Sequence, residues 1–200
     1  MPRPQDHYAK KAKAMGYPAR SVFKLKEIVE RFHIIPPSPT ILDIGAAPGS
    51  FSLFLLEKVG STGRIIGVDL VPHLKIPSFP NYTYISGDIF SNDIRQKLLD
   101  FGPYDLIISD AAPATCGQKE VDALKSIALA ECVLQIASTS LKANGKMVVK
   151  IFQGSGEQEF LLLLRQTFKQ VRGFKPKASR SESFETYFIC SELKSKELPN

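Results

Sequence analysis

The sequence predicts an α/β fold: a mostly parallel, doubly wound sheet with helices on both faces and one antiparallel strand near the C-terminus. Three observations carry this. From residue 40 onward, short apolar runs of β type alternate with stretches of helical periodicity. The first run enters its helix through a turn of small residues, Gly45-Ala46-Ala47-Pro48-Gly49. The last two runs, 170–175 and 184–190, have a loop and no helix between them, so they pair more naturally antiparallel.

The chain begins with a basic arm, 1–35. Arg3, Lys10, Lys11, Lys13, Arg20, Lys24, Lys26 and Arg31 face only Asp6, Glu27 and Glu30, with Tyr8, Tyr17 and Phe23 interleaved. A helix is expected over 21–32, with Val22, Leu25, Ile28, Val29 and Phe32 on its apolar face and Ser21 as N-cap. Cations mixed with aromatics suggest RNA contact; the plain alternative is a solvated helical arm. Pro36, Pro37 and Pro39 make a rigid link into the first strand.

Strands are expected at 40–44, 64–69, 82–86, 104–110 and 146–152, and helices at 51–59, 91–100, 119–141 and 156–168. Phe51, Phe54, Leu55 and Val59 fall at helical spacing, and Pro48 suits the first helical position. Gly145 after Asn144 reads as a helix-to-strand stop. No repeat or second domain is evident, so residues 1–200 read as one domain with a fraying tail over 191–200.

Composition narrows the function. Two hundred residues at 44% hydrophobic content suit one globular domain, and a net charge of +6 favours a polyanionic partner, most simply nucleic acid. Cys116, Cys132 and Cys190 are far apart and odd in number, which suggests free thiols in a reducing compartment. There is no signal-type apolar segment at the N-terminus and no membrane-spanning run. A cytoplasmic protein with no membrane partner is expected. His7, His33 and His73 show no metal-ligand spacing and no pairing with serine, so no metal site is expected and a hydrolase has little support.

In such sheets ligands sit at the carboxyl ends of the strands. Asp43 and the Gly45–Gly49 loop end the first, Asp69 the second, Gly87-Asp88 the third and Ser109-Asp110 the fourth. Small residues in the loop let a ligand approach the backbone, and Asp69 stands where a ribose diol is gripped. The loop is not GxGxxG, so the ordinary dinucleotide fingerprint does not match. Lys150 lies in the apolar run Val148–Phe152, where a cation is costly unless paired. Its plain alternative is a snorkelling strand-end lysine. Asp110 could instead cap a turn, and Asp88 could cap the following helix.

Seven pieces, in order, resemble one family. They are GYPARSVFKLKEI (16–28), LDIGAAPGSFS (42–52), GRIIGVDLVP (63–72), GD (87–88), ISDAAPATCG (108–117), VVKIFQG (148–154) and KPKASRSESFETYFI (175–189). Together they resemble the FtsJ/RrmJ family of S-adenosylmethionine-dependent RNA ribose 2′-O-methyltransferases. The resemblance implies a Rossmann-like methyltransferase fold. It also implies methyl transfer from S-adenosylmethionine to the ribose of a uridine in large-subunit (23S) rRNA, within the 50S subunit, by a monomer active in ribosome assembly.

The family's Lys-Asp-Lys-Glu tetrad falls on Lys24, Asp110, Lys150 and Glu185. The resemblance makes Lys150 the catalytic base and the other three its orienting partners. It also implies cofactor contacts at Gly49, Phe51, Asp69, Asp88 and Asp110, beside the loop residues Asp43, Gly45, Ala46 and Pro48. Phe51 stands where the family often has tryptophan, Ala114 where it has asparagine, and Glu182 and Phe184 where it often has arginines. Fewer cations there weaken local phosphate attraction. The competing readings are a methyltransferase of tRNA or another RNA, a non-catalytic RNA-binding assembly factor and, more distantly, a nicotinamide oxidoreductase.

Overall fold

The computed structural model describes residues 7–72, 74, 76–179 and 183–194. β1 (Thr40–Ile44), β2 (Arg64–Asp69), β3 (Tyr82–Ser86), β4 (Tyr104–Ser109) and β5 (Leu141–Phe152) pair in parallel with one another. β6 (Phe168–Phe174) pairs with β7 (Glu185–Leu193), and β7 runs antiparallel to both β5 and β6. The sheet order is β3-β2-β1-β4-β5-β7-β6. The strand order reverses between β1 and β4, the place where doubly wound sheets open a crevice at their carboxyl ends.

Period-two alternation assigns the two faces. Ile41, Ile65, Leu106, Ile108, Val148, Tyr187 and Ile189 pack under α1 (His7–Ala14), α2 (Val22–Phe32) and α3 (Ser50–Val59). Leu42, Ile44, Ile66, Val68, Ile107, Met147 and Val149 pack on the other side, against α4 (Asn92–Phe101), α5 (Lys119–Ser140) and α6 (Glu157–Thr167). Central strands buried on both faces explain why their sequences read as near-continuous apolar runs.

The interleaved aromatics of the basic arm are packing residues. Tyr17 and Phe23 are buried in the core beneath α1–α3, and Tyr8 stacks on Phe23 at 5.4 Å. The cations lie over these rings: Lys11 over Phe23 at 5.2 Å and Lys26 over Tyr17 at 4.6 Å. The arm therefore offers charge outward, while its ring faces are already occupied.

Four local expectations differ. Pro48 is not the first helical residue: its peptide with Ala47 is cis, Gly49 takes the N-cap position at φ 107°, and the helix starts at Ser50. Ser21 does sit at the N-cap of α2 but makes no side-chain cap bond. Asn144-Gly145 is no helix stop, because α5 already ends at Ser140. Tyr104 pairs with Leu141 and Leu106 with Lys146, so the intervening residues bulge from β5. A Cβ on Gly145 would lie 2.8 Å from Leu141 Cδ2 and 2.9 Å from the Lys142 carbonyl, so the bulge needs glycine. Finally, β7 runs on to Leu193, which puts the first residues of the expected frayed tail inside the sheet. His73, Glu182 and the ends 1–6 and 195–200 lie outside the described residues.

Candidate active site

A cleft of about 680 Å³ opens at the carboxyl ends of β1–β4. Its floor is Ile44, Gly45 and Val68, with Asp69, Asp88 and Asp110 around it. Gly45, at φ 78°, makes the crevice possible. A Cβ there would lie 2.6 Å from the backbone of Ala111, so the loops after β1 and β4 touch only because side chain is absent. Asp69 ties two turns together: its carboxylate accepts from Ala47 N at 3.0 Å and Val71 N at 3.1 Å. Asp88 caps its own turn, accepting from Phe90 N at 2.9 Å, and Ser91 takes the N-cap position of α4. Leu70 and Phe90 line the cleft and are largely exposed, giving it apolar walls.

Beside the cleft four charges converge. Lys150 is buried in β5, and its Nζ lies 2.9 Å from Asp110 Oδ1 while also donating to the Asp110 carbonyl. It is therefore a paired interior lysine and no snorkelling one. Lys24 of α2 forms an ion pair with Glu185 of β7. Register links the two pairs. Lys150 faces Tyr187 across β5 and β7, and Glu185 lies two residues from Tyr187 on the same face. Tyr187 donates to Asp110 Oδ1 at 2.6 Å. Burial pushes the Asp110 carboxyl up, but Lys150, Lys24 and the Tyr187 hydroxyl outweigh it and hold the group below the usual carboxylate range. Arg20, Ser21, Lys24, Ser183 and Glu185 line a smaller hollow of about 230 Å³ at this end.

The approach to this cluster is braced from α2. Glu27 accepts from Lys177 N and Ala178 N, both at 2.8 Å, and Arg20 donates to the Ala178 carbonyl. The segment leading toward Glu185 is thus tied to the helix that carries Lys24.

A family model for FtsJ-like methyltransferases matches residues 17–193. The chain belongs to that family. It is 45% identical over 189 residues to a ribosomal RNA large subunit methyltransferase E of Treponema denticola, covering 94% of this chain and 95% of the relative. To the protein of the same name from Methanobrevibacter smithii it is 38% identical over 200 residues, covering 98% and 94%. A crystal structure described as that of a candidate ribosomal RNA methyltransferase from Plasmodium falciparum superposes with a TM-score of 0.75 at 26% identity, covering 88% of this chain and 98% of that one. Human methyltransferase-like protein 13, in complex with SAH, shares the fold at a TM-score of 0.62 and 15% identity.

The matched span holds all four members of the charged cluster, and the geometry brings them together. The predicted cofactor residues divide. Gly45, Asp69, Asp88 and Asp110 line the cleft. Asp43, Ala46, Pro48, Gly49 and Phe51 do not. Phe51 is buried among the side chains beneath α3, where its helix turns it inward. Gly49 is covered by Ile76, whose Cγ2 would be 2.5 Å from an added Cβ. Ala46 is buried with its amide bonded to the Val68 carbonyl at 3.2 Å. Pro48 is exposed on the outside of the turn. A tight turn can face only some of its residues inward, and the motif alone does not say which.

Asp43 is the largest departure. It is fully buried one layer below the floor, with Oδ2 accepting from Ser52 at 2.6 Å and Oδ1 without any partner. Ser52 in turn bonds Tyr82 at 3.1 Å. Burial pushes the Asp43 carboxyl up to about 7; the Ser52 bond opposes this, and the charges of Asp110 and Asp69 add to it.

Residues the sequence reading missed are Tyr187, Phe90 and Lys125, the last lining the cleft from α5. Tyr187 had a usable signal, since two residues along a strand from Glu185 means the same face. Lys125 had none, being one lysine among several on a long helix.

Proposed function

We propose that this protein transfers a methyl group from S-adenosylmethionine to the 2′-hydroxyl of a uridine ribose in large-subunit rRNA, within the 50S particle, in the cytoplasm. One observation carries this reading: a buried lysine amine held 2.9 Å from Asp110 beside a nucleoside-sized cleft, with a second Lys–Glu pair next to it. The names of the related proteins support the rRNA substrate.

The cleft residues suit the cofactor. Asp69 is placed for a ribose diol, Asp88 has an oxygen available for the adenine side, and Leu70 and Phe90 offer apolar contact to a flat heterocycle. The cofactor supplies a methyl group on a positively charged sulfur. Asp110 puts negative charge at that end of the cleft, which favours a cation there. With the donor bound, the methyl would pass to the 2′-oxygen as the neutral sulfide leaves, and Lys150 would be the group that takes the hydroxyl proton. Asp110 and Tyr187 fix the direction of that amine, and the Lys24–Glu185 pair flanks the sugar. Alignment is the larger contribution, worth roughly 7–11 kcal/mol, against about 3–5 kcal/mol for a general base. The basic arm and α2 supply the attraction for the RNA backbone.

The test is labelled-methyl transfer to unmodified 50S subunits, to free 23S rRNA and to bulk tRNA. Label on a 2′-hydroxyl of the 50S rRNA supports the reading. Label only in tRNA moves the substrate within the family, and no label in any RNA leaves a non-catalytic binding factor.

A further inference from the structure

Asp43 is unused by the chemistry above, yet burying it is costly. It is wholly buried, no cation is bonded to it, and one of its oxygens has no partner. A carboxylate kept that way needs a reason, and its position suggests one. Asp43 lies in β1, one residue before Ile44 and two before Gly45, and those two form the cleft floor. Asp110 directly follows the neighbouring strand β4, in which Ile108 pairs with Asp43 and Ser109 with Ile44. Asp69 ends the strand on the other side.

The groups facing Asp43 are therefore two carboxylates, at Asp69 and Asp110, and the Ser52–Tyr82 hydroxyl pair from α3 and β3. The nearby cations are engaged elsewhere, Lys150 with Asp110 and Lys24 with Glu185. Gly67 leaves the gap that lets the Tyr82 hydroxyl reach Ser52: a Cβ there would lie 2.3 Å from it. Ser52 donates to Asp43 and bonds the hydroxyl of the partly buried Tyr82, so a chain of two hydroxyls runs from Asp43 toward β3.

We propose that Asp43 senses the charge of the methyl donor: protonated when the cleft is empty, it releases its proton to solvent when a sulfonium enters, and its carboxylate then favours the charged donor over the neutral sulfide product. The inference rests on the methyltransferase reading and adds a specificity role to it. A positive charge roughly 8 Å away, at an effective dielectric near 20, changes a carboxyl's proton affinity about 30-fold. By linkage the same factor returns as preference for the cation. S-adenosylmethionine and S-adenosylhomocysteine share their amino-acid and nucleoside parts, so a difference between them isolates the sulfonium.

The experiment is calorimetry of both ligands at pH 7 in two buffers of different protonation enthalpy. Because Asp43 is half-protonated near pH 7, S-adenosylmethionine should release about half a proton more than S-adenosylhomocysteine. The affinity ratio of the two ligands should rise about 10-fold from pH 6 to pH 8. Asp43→Asn should abolish both effects. If that variant does not fold, Ser52→Ala keeps the acid and removes a bond that favours its ionised form, so the midpoint of the ratio should move to higher pH. Equal proton release by the two ligands, a difference that survives Asp43→Asn, or an unmoved midpoint in Ser52→Ala overturns the proposal alone. Failure to bind either ligand overturns the methyltransferase reading and the proposal with it.

Discussion

Lys150 and Asp43 are both buried charged-type residues on the same face of the sheet, in β5 and β1 with β4 between them, but their surroundings set opposite expectations. Lys150 has Asp110 and, through it, Tyr187. Lys150→Ala should abolish methyl transfer and change S-adenosylmethionine affinity less than about threefold, because its partner and not the lysine lines the cleft; calorimetry on the inactive variant checks this. Tyr187→Phe removes one hydroxyl that steers Asp110 and should lower kcat about 3–10-fold, the cost of roughly one hydrogen bond, with KM unchanged. Asp43 bears on stability. Its folded proton affinity is raised, so the native state keeps a proton that the unfolded chain sheds between about pH 4 and pH 7. The stability this contributes is complete below pH 4 and is lost as pH rises through 7, by about 4 kcal/mol for a shift of this size. Asp43→Asn has no such titration. Denaturant unfolding should show the variant gaining on the natural protein by about 2–4 kcal/mol between pH 5 and pH 8, and parallel pH profiles would sink this assignment.

At the level of elements, the strand–turn–helix unit around Gly45 is the joint that opens the cleft. Gly45→Ala places a methyl 2.6 Å from the Ala111 backbone at a positive φ, and neither loop can yield without moving the other. It should cost about 3 kcal/mol, lower the Tm by roughly 6–12 °C and weaken cofactor binding at least tenfold. Gly16→Ala is the control: φ is 82° but the space is open, so it should cost only about 1 kcal/mol. Thermal melts of both variants separate close approach from backbone strain. The central strands were legible because they are short, buried on both faces and bounded by small or acidic residues, as Thr40–Ile44 and Arg64–Asp69 illustrate. The antiparallel placement of β7 followed from the missing helix before it. The tetrad was legible through a family resemblance, since no spacing joins Lys24 to Glu185. Asn144-Gly145 misled because a bulge and a helix stop ask for the same residues. Phe51 and Gly49 lie outside the lining of the cleft, because a motif marks a loop and not the side from which a ligand reaches it.

Across the whole molecule, the surplus of positive charge is what remains of the RNA argument once the aromatics of the arm are seen to be packing residues. Tyr17 and Phe23 are buried, so they cannot stack on bases without leaving the core. Binding should then be governed by phosphate neutralisation. Affinity for rRNA should fall at least tenfold between 50 and 200 mM salt, whereas affinity for the small cofactor should barely change. The exposed lysines of α1, Lys10, Lys11 and Lys13, are the cleanest place to test this. Reversing all three to glutamate removes six units from a net charge of +6 and leaves zero. If α1 contacts phosphate, the slope of log affinity against log salt should shrink by roughly two to three, the value for three lost contacts, and the rRNA affinity should drop at least tenfold at low salt. The cofactor affinity should stay as it was, because α1 contributes nothing to the cleft. An unchanged slope would move the RNA track off the arm and onto the cations nearer Lys24 and Glu185.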